Sequence, residues 1–276
     1  MLWKERRDNM GWAKFAEDIE SIINSRKFDN DYENLVRQVK EKKKQKTVNS
    51  QSTPDLGFKF QEPRCVPVIL LLDTSKSMQN NDKIGVLNAA TKEMLSTFAL
   101  QDDNNVVIKV AIYTFGPDVK QILPLTAASD AVYSFRDMEA HGGTLLAGAL
   151  RMVKANLIED RSKITSRDYR PQVILVSDGM PGDDWKKAID EFCNFGRSSK
   201  CLRMAMRIGV AKDTAPYTVL STFTGSEKTV FSAKDSKSIR NFFKYVTMTT
   251  IQKSMGYAHE ENEKEKEIQD EDDLIF

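Results

Sequence analysis

Apolar and polar positions alternate along this chain in two different rhythms. Over residues 1–46 the apolar residues recur at three- and four-residue spacing: Trp12, Phe15, Ile19 and Ile22, then Tyr32, Leu35, Val36 and Val39. That spacing lines one face of a helix. It predicts two helices, with "KFDND" at 27–31 as the turn between them and Asn30 or Asp31 as an N-cap. The rhythm is then lost, and Ser, Thr, Pro and Gly accumulate, so residues 47–61 are read as a linker. From Glu62 a second rhythm begins, in which short apolar runs alternate with helical spacing. The runs are Val66–Leu72, Val106–Phe115, 119–125, 172–179, Leu202–Val210 and Thr229–Ser232. Helical spacing falls at Ile84–Phe98, Leu145–Leu157, Trp185–Phe195, Tyr217–Phe223 and Ser236–Ser254. Continuous apolar strands of this kind suit a parallel sheet covered on both faces. The alternation predicts an α/β fold: a doubly wound, mostly parallel sheet flanked by helices, over residues 62–254.

Charge changes the picture only at the C-terminus. Lys and Arg number 41 against 40 Asp and Glu, which makes no case for a nucleic-acid or membrane partner. Residues 255–276 are different: acidic side chains crowd Glu260–Asp273, and the chain ends on apolar Leu274, Ile275 and Phe276. The stretch reads as a disordered acidic tail, with its tip as a second contact for a partner. No apolar run approaches the roughly 20 residues needed to span a bilayer, and no apolar segment follows Lys4, Arg6 and Arg7 to make a secretory signal. Three cysteines, Cys65, Cys193 and Cys201, show no CxxC spacing, which argues against a disulfide framework or a zinc ribbon. Cytoplasmic location is the expectation.

Two apolar runs end abruptly on an aspartate, "VILLLDTSKSM" and "QVILVSDGM". In doubly wound folds the ligand site lies beyond the carboxyl ends of the strands, near the switch point in strand order. Three loops gather there: "DTSKS" at 73–77, "HGGTLLAG" at 141–148 and "SDGMPGDDW" at 177–185. They offer two carboxylates, Asp73 and Asp178, and three hydroxyls, Ser75, Ser77 and Thr144. An all-oxygen set suits a hard divalent cation. Gly142 and Gly143 give the second loop the freedom to bring Thr144 close. Other residues in these loops have more ordinary explanations. His141 stands beside the site as a tolerated loop histidine or a hydrogen-bond donor to an incoming carboxylate. Asp183 and Asp184 cap the helix beginning at Trp185 or steer a basic partner.

The DxSxS run "DTSKSM", the Thr after Gly-Gly and the Asp of "SDG" resemble the metal-ion-dependent adhesion site of a von Willebrand factor A domain. The text of "EPRCVPVILLLDTSKSM", "YTFGPDVKQILPLT", "GGTLLAGAL" and "YRPQVILVSDGMPGDDW" is similar to the intracellular bacterial TerY/YegL-like branch, over about Glu62 to Ser254. The resemblance implies a Rossmann-like sheet with Asp73, Ser75, Ser77, Thr144 and Asp178 as ligands of Mg2+ or Mn2+. It implies a partner protein that supplies an acidic residue to the metal, such as a kinase or phosphatase of the same operon. Stress response, tellurium resistance and phage defence are the settings it suggests, with the protein as an adaptor rather than an enzyme. The helical N-terminus and the acidic tail fall outside the resemblance. The alternative is a magnesium-dependent phosphatase using Asp73 as nucleophile. Such enzymes carry a second acid two residues on, where this chain has Ser75. No GxxxxGK[ST] or GxGxxG loop appears, and only His141 and His259 are present for a Ser–His–Asp arrangement.

Overall fold

The computed structural model describes residues 31–51, 63–101, 106–209, 211–212, 214–233 and 236–254. The helix expected over the first 26 residues, the acidic tail and its Leu274–Phe276 tip lie outside these.

Strand β1 (Arg64–Asp73) is the centre of the sheet and is buried from Cys65 to its end. Its side chains divide between two cores, as the two-residue period of a strand requires. Val66, Val68, Leu70 and Leu72 enter one core, and Ile69 and Leu71 the other. That division is why the run is apolar without alternation. β2 (Val106–Phe115), β4 (Gln172–Ser177), β5 (Leu202–Ile208) and β6 (Val230–Ala233) complete the parallel sheet, and β3 (Val119–Ala127) runs antiparallel to β2. The order is β3-β2-β1-β4-β5-β6. β3 is an edge strand, half exposed, and there it tolerates Pro124.

Helices cover both faces. α1 (Asp31–Gln51), α2 (Lys83–Gln101), α3 (Ala128–Ser134) and α7 (Ser236–Ser254) share one core; α4 (Leu146–Val153), α5 (Trp185–Asn194) and α6 (Ala215–Thr224) share the other. α1 is docked as an outer layer on α2 and α3. Val39 is buried there, and the Tyr133 hydroxyl donates to the Val36 carbonyl at 3.3 Å. Lys43 pairs with Asp130, and Lys42 donates to the Leu100 carbonyl.

Two expectations need correction. α1 continues five residues past the end expected at 46, into the segment read as linker. Thr47, Val48, Asn49 and Ser50 are weak helix formers and show no apolar period, so local propensity gave no sign of the extension. The helix expected over Leu145–Leu157 is regular only to Val153 and ends in one π turn, Lys154–Ile158. α3 was not predicted at all, since seven residues are too few to display a period.

Candidate metal centre

The chain builds outward from β1 through β2 and β3, then returns to the other side of β1 with β4, β5 and β6. The strand order therefore switches between β1 and β4, and a crevice opens at their carboxyl ends. Asp73 is the last residue of β1, and Ser177 and Asp178 stand at the end of β4.

Asp73 is fully buried, and both its oxygens are engaged. Oδ1 accepts from the Ser75 amide at 2.8 Å, and Oδ2 accepts from the Ser177 hydroxyl at 2.6 Å. Burial pushes its carboxyl up from the ordinary value; the bonds from Ser177 and Ser75 pull it back, and the Asp178 charge adds to the rise. The tight turn after Asp73 leads into a 3-10 segment, Lys76–Asp82, with Ser75 at the cap position. Ser75 does not cap it. Its hydroxyl lies instead 3.0 Å from that of Ser77, and Ser77 donates to Asp178 Oδ1 at 2.5 Å. The Asp178 side chain has no exposure, and its Oδ2 accepts from the Lys83 ammonium at 2.7 Å.

The second loop is zipped to the first by its backbone. The His141 amide donates to the Thr74 carbonyl at 2.8 Å, and the Lys76 amide to the Gly142 carbonyl at 3.1 Å. Upstream, the Asn88 side chain both donates to and accepts from the Met138 backbone, at 3.0 and 2.9 Å, and Gln79 donates to the Ala140 carbonyl at 2.6 Å. Gly142 holds φ at +66°, and a Cβ there would stand 2.5 Å from Pro117, so only glycine fits. Thr144 is reached from the third loop, where the Gly182 amide donates to its carbonyl at 2.9 Å.

Asp183 and Asp184 do not act as expected. Asp184 occupies the cap position of α5 without a side-chain bond. Asp183 reaches across to accept from the Gly148 amide at 3.1 Å, in the first turn of α4. There it satisfies one of the open N–H groups and faces the positive end of that helix. It therefore ties the third loop to the second. His141 is exposed at the rim.

The structure brings Asp73, Ser75, Ser77 and Asp178 into one hydrogen-bonded set, while Thr144 is tied to the third loop through its carbonyl. Among the described residues no group of three or more His, Cys, Asp or Glu is placed to hold a metal. The donors here are two carboxylates and hydroxyls, a set that fits a hard divalent cation. Sequence reasoning missed Ser177, Asn88 and Lys83, and gave Asp183 a different partner. Ser177 had a signal, being the one polar residue inside the apolar run before Asp178. Lys83 had none.

Residues 68–180 match the family model described as von Willebrand factor type A domain, a span that contains all five of these residues. That match covers less than half of the chain; the six-stranded, mostly parallel sheet with its flanking helices is a von Willebrand factor A-like α/β fold. Among solved structures it is similar to the pilus adhesin SpaC from Lactobacillus rhamnosus GG, with 16% identity, TM-score 0.58 and coverage of 71% of this chain and 32% of that one. It is similar to proximal thread matrix protein 1 from the mussel byssus with a zinc-occupied metal-ion-dependent adhesion site, with 14% identity, TM-score 0.52, and coverage of 69% and 46%. The vWF domain of the type V pili tip protein Mfa5 from Porphyromonas gingivalis aligns at 13% identity and TM-score 0.53, covering 74% of this chain and 100% of that one. The chain thus spans about a third of the adhesin and under half of the thread protein. No curated protein sequence matches it.

Proposed function

We propose that this protein is a metal-dependent interaction module in which Asp73, Ser75, Ser77, Thr144 and Asp178 hold Mg2+ or Mn2+. A partner protein completes the site with a carboxylate. The observation that carries this reading is the convergence of two shielded carboxylates and a hydroxyl pair on the switch point between β1 and β4. Domains of this class mediate protein–protein interaction, often through a metal, and the mussel neighbour's site is occupied by zinc. Bound there, the cation supplies a point charge that attracts an anionic oxygen. Asp73 and Asp178 neutralise its charge, while Ser75 and Ser77 add donors without adding electron density. The second and third loops fix Thr144 beside them.

The same geometry weighs against the phosphatase alternative. Asp73 is buried with both oxygens engaged, so it is not presented for attack on a phosphorus. The setting we propose is a bacterial stress-response or defence system of the TerY/YegL-like kind, in the cytoplasm. A kinase or phosphatase of the same operon is the candidate partner, and Leu274, Ile275 and Phe276 form a second contact. The motif text quoted above supports that setting. Calorimetric titration with MgCl2 and MnCl2 tests the site: wild type binds and Asp73→Ala does not. Capture of the operon's kinase or phosphatase by wild type in magnesium, lost in EDTA and with Asp73→Ala, is the expected second result. Equal capture in all three conditions overturns the reading.

A further inference from the structure

Lys83 reaches the site from outside the three loops. It opens α2, where the unpaired amides of a helix start leave partial positive charge and a cation is on the disfavoured end. Only Asp82, the residue before it, offsets this in part, its carboxylate lying over Gly85 of the first turn. The ammonium is nevertheless drawn inward, to 2.7 Å from Asp178 Oδ2, with 18% of the Lys83 side chain exposed and none of Asp178. The turn that delivers it contains two consecutive non-glycine residues with left-handed backbone, Asn81 and Asp82, each at φ 53°. Residues other than glycine seldom adopt that conformation, although Asn and Asp do so most readily. Beside the ammonium lies Gly209, where a Cβ would stand 3.8 Å from Nζ, so the lysine passes over open backbone.

A lysine ammonium is a compact charge on a flexible stem. Here it rests on one of the two carboxylates that the metal reading assigns as ligands. A carboxylate with no exposure is costly to leave unpaired, and Lys83 supplies the charge it needs. A divalent cation on the same carboxylate repels that ammonium. We propose that Lys83 is a tethered counter-cation that trades places with the divalent ion at Asp178. It holds the carboxylate in the metal-free protein and sets metal affinity below what the oxygen donors alone would give. This rests on the metal reading above. A partner carboxylate then adds negative charge at the ion, so metal and partner strengthen each other's binding.

The test uses the full chain, MnCl2 alone as titrant, and two variants. Lys83→Met removes the charge at similar length, and Lys83→Gln removes it while keeping a hydrogen-bond donor. Both bind Mn2+ about tenfold more tightly than wild type, since removing a unit charge near a divalent ion is worth at least that in a partly shielded site. In EDTA Lys83→Met unfolds at a lower temperature than wild type, and saturating Mn2+ closes the gap. Equal or weaker Mn2+ binding by both variants overturns the exchange and leaves Lys83 as a fixed structural ion pair, with the metal reading intact. Failure of wild type and both variants to bind either Mn2+ or Mg2+ overturns the metal reading, and the exchange with it.

Discussion

Asp73 sits at the end of the most apolar strand, where its ionisation is opposed by burial and by the neighbouring Asp178 charge. Such a carboxyl has a folded pKa above its unfolded one, so its contribution to stability is greatest at low pH. That contribution is lost as pH rises through the raised value. At neutral pH the metal-free protein therefore carries a cost here. Asp73→Asn keeps a partner for both the Ser75 amide and the Ser177 hydroxyl while removing the charge. In EDTA at neutral pH it melts a few degrees above wild type, roughly 1 kcal/mol at this chain length, and the difference shrinks as pH falls. The same variant loses Mn2+ binding, which calorimetry reads directly. Asn88 carries a different burden: its side chain makes two buried bonds to the Met138 backbone. Asn88→Ala strands both groups, costs about 2–4 kcal/mol in denaturant melts, and weakens metal binding by loosening the segment that leads to Thr144. The aspartates were legible because each ends an apolar run. Asn88 was not, since a lone polar residue in a helix does not reveal that it faces a backbone 50 positions away.

At the level of elements, the connection between α4 and the third loop runs through Asp183. Asp183→Ala leaves the Gly148 amide without its acceptor and costs about 1 kcal/mol, as losing a helix cap does. Metal affinity falls with it, because Thr144 lies between Gly142, bonded to the Lys76 amide, and Gly148, bonded to Asp183; a titration that finds affinity unchanged would separate loop fixation from binding. α1 is the other element whose role the fold defines. Val39 is its fully buried apolar contact with α2 and α3. Val39→Asp buries an uncompensated charge and detaches the helix, which hydrogen exchange reads as faster exchange over α1 and α3. The helical character of α1 was evident from spacing, whereas its attachment was not. An apolar stripe looks the same whether it packs on its own domain or on a partner.

For the whole molecule, the strand order decides where chemistry is possible. The order in which strands are added reverses at β1, and that switch separates the loops after β1 and β4 enough to form a crevice. On the proposed function, a cation held by Asp73 from β1 and Asp178 after β4 would tie both halves of the sheet together and stabilise the folded domain. Saturating Mn2+ at about 100 times its dissociation constant raises stability by roughly 2.7 kcal/mol. Thermal melts with MnCl2 and with EDTA measure this, and no shift would mean the loops do not close on the ion.

The alternation of strands and helices, the burial of β1 on both faces, and the aspartates that end two apolar runs were all legible along the chain. These follow from local period and polarity, which any stretch of chain displays without its neighbours. It took the packed fold to show that Ser177 of the third loop holds Asp73 in the first, that Asp183 caps a helix from another loop, and that Lys83 meets Asp178. Each of those pairs joins positions 35 to 104 residues apart. Nothing in a local pattern specifies which distant partner a charge will find, because that is set by strand order and by the register of packed elements.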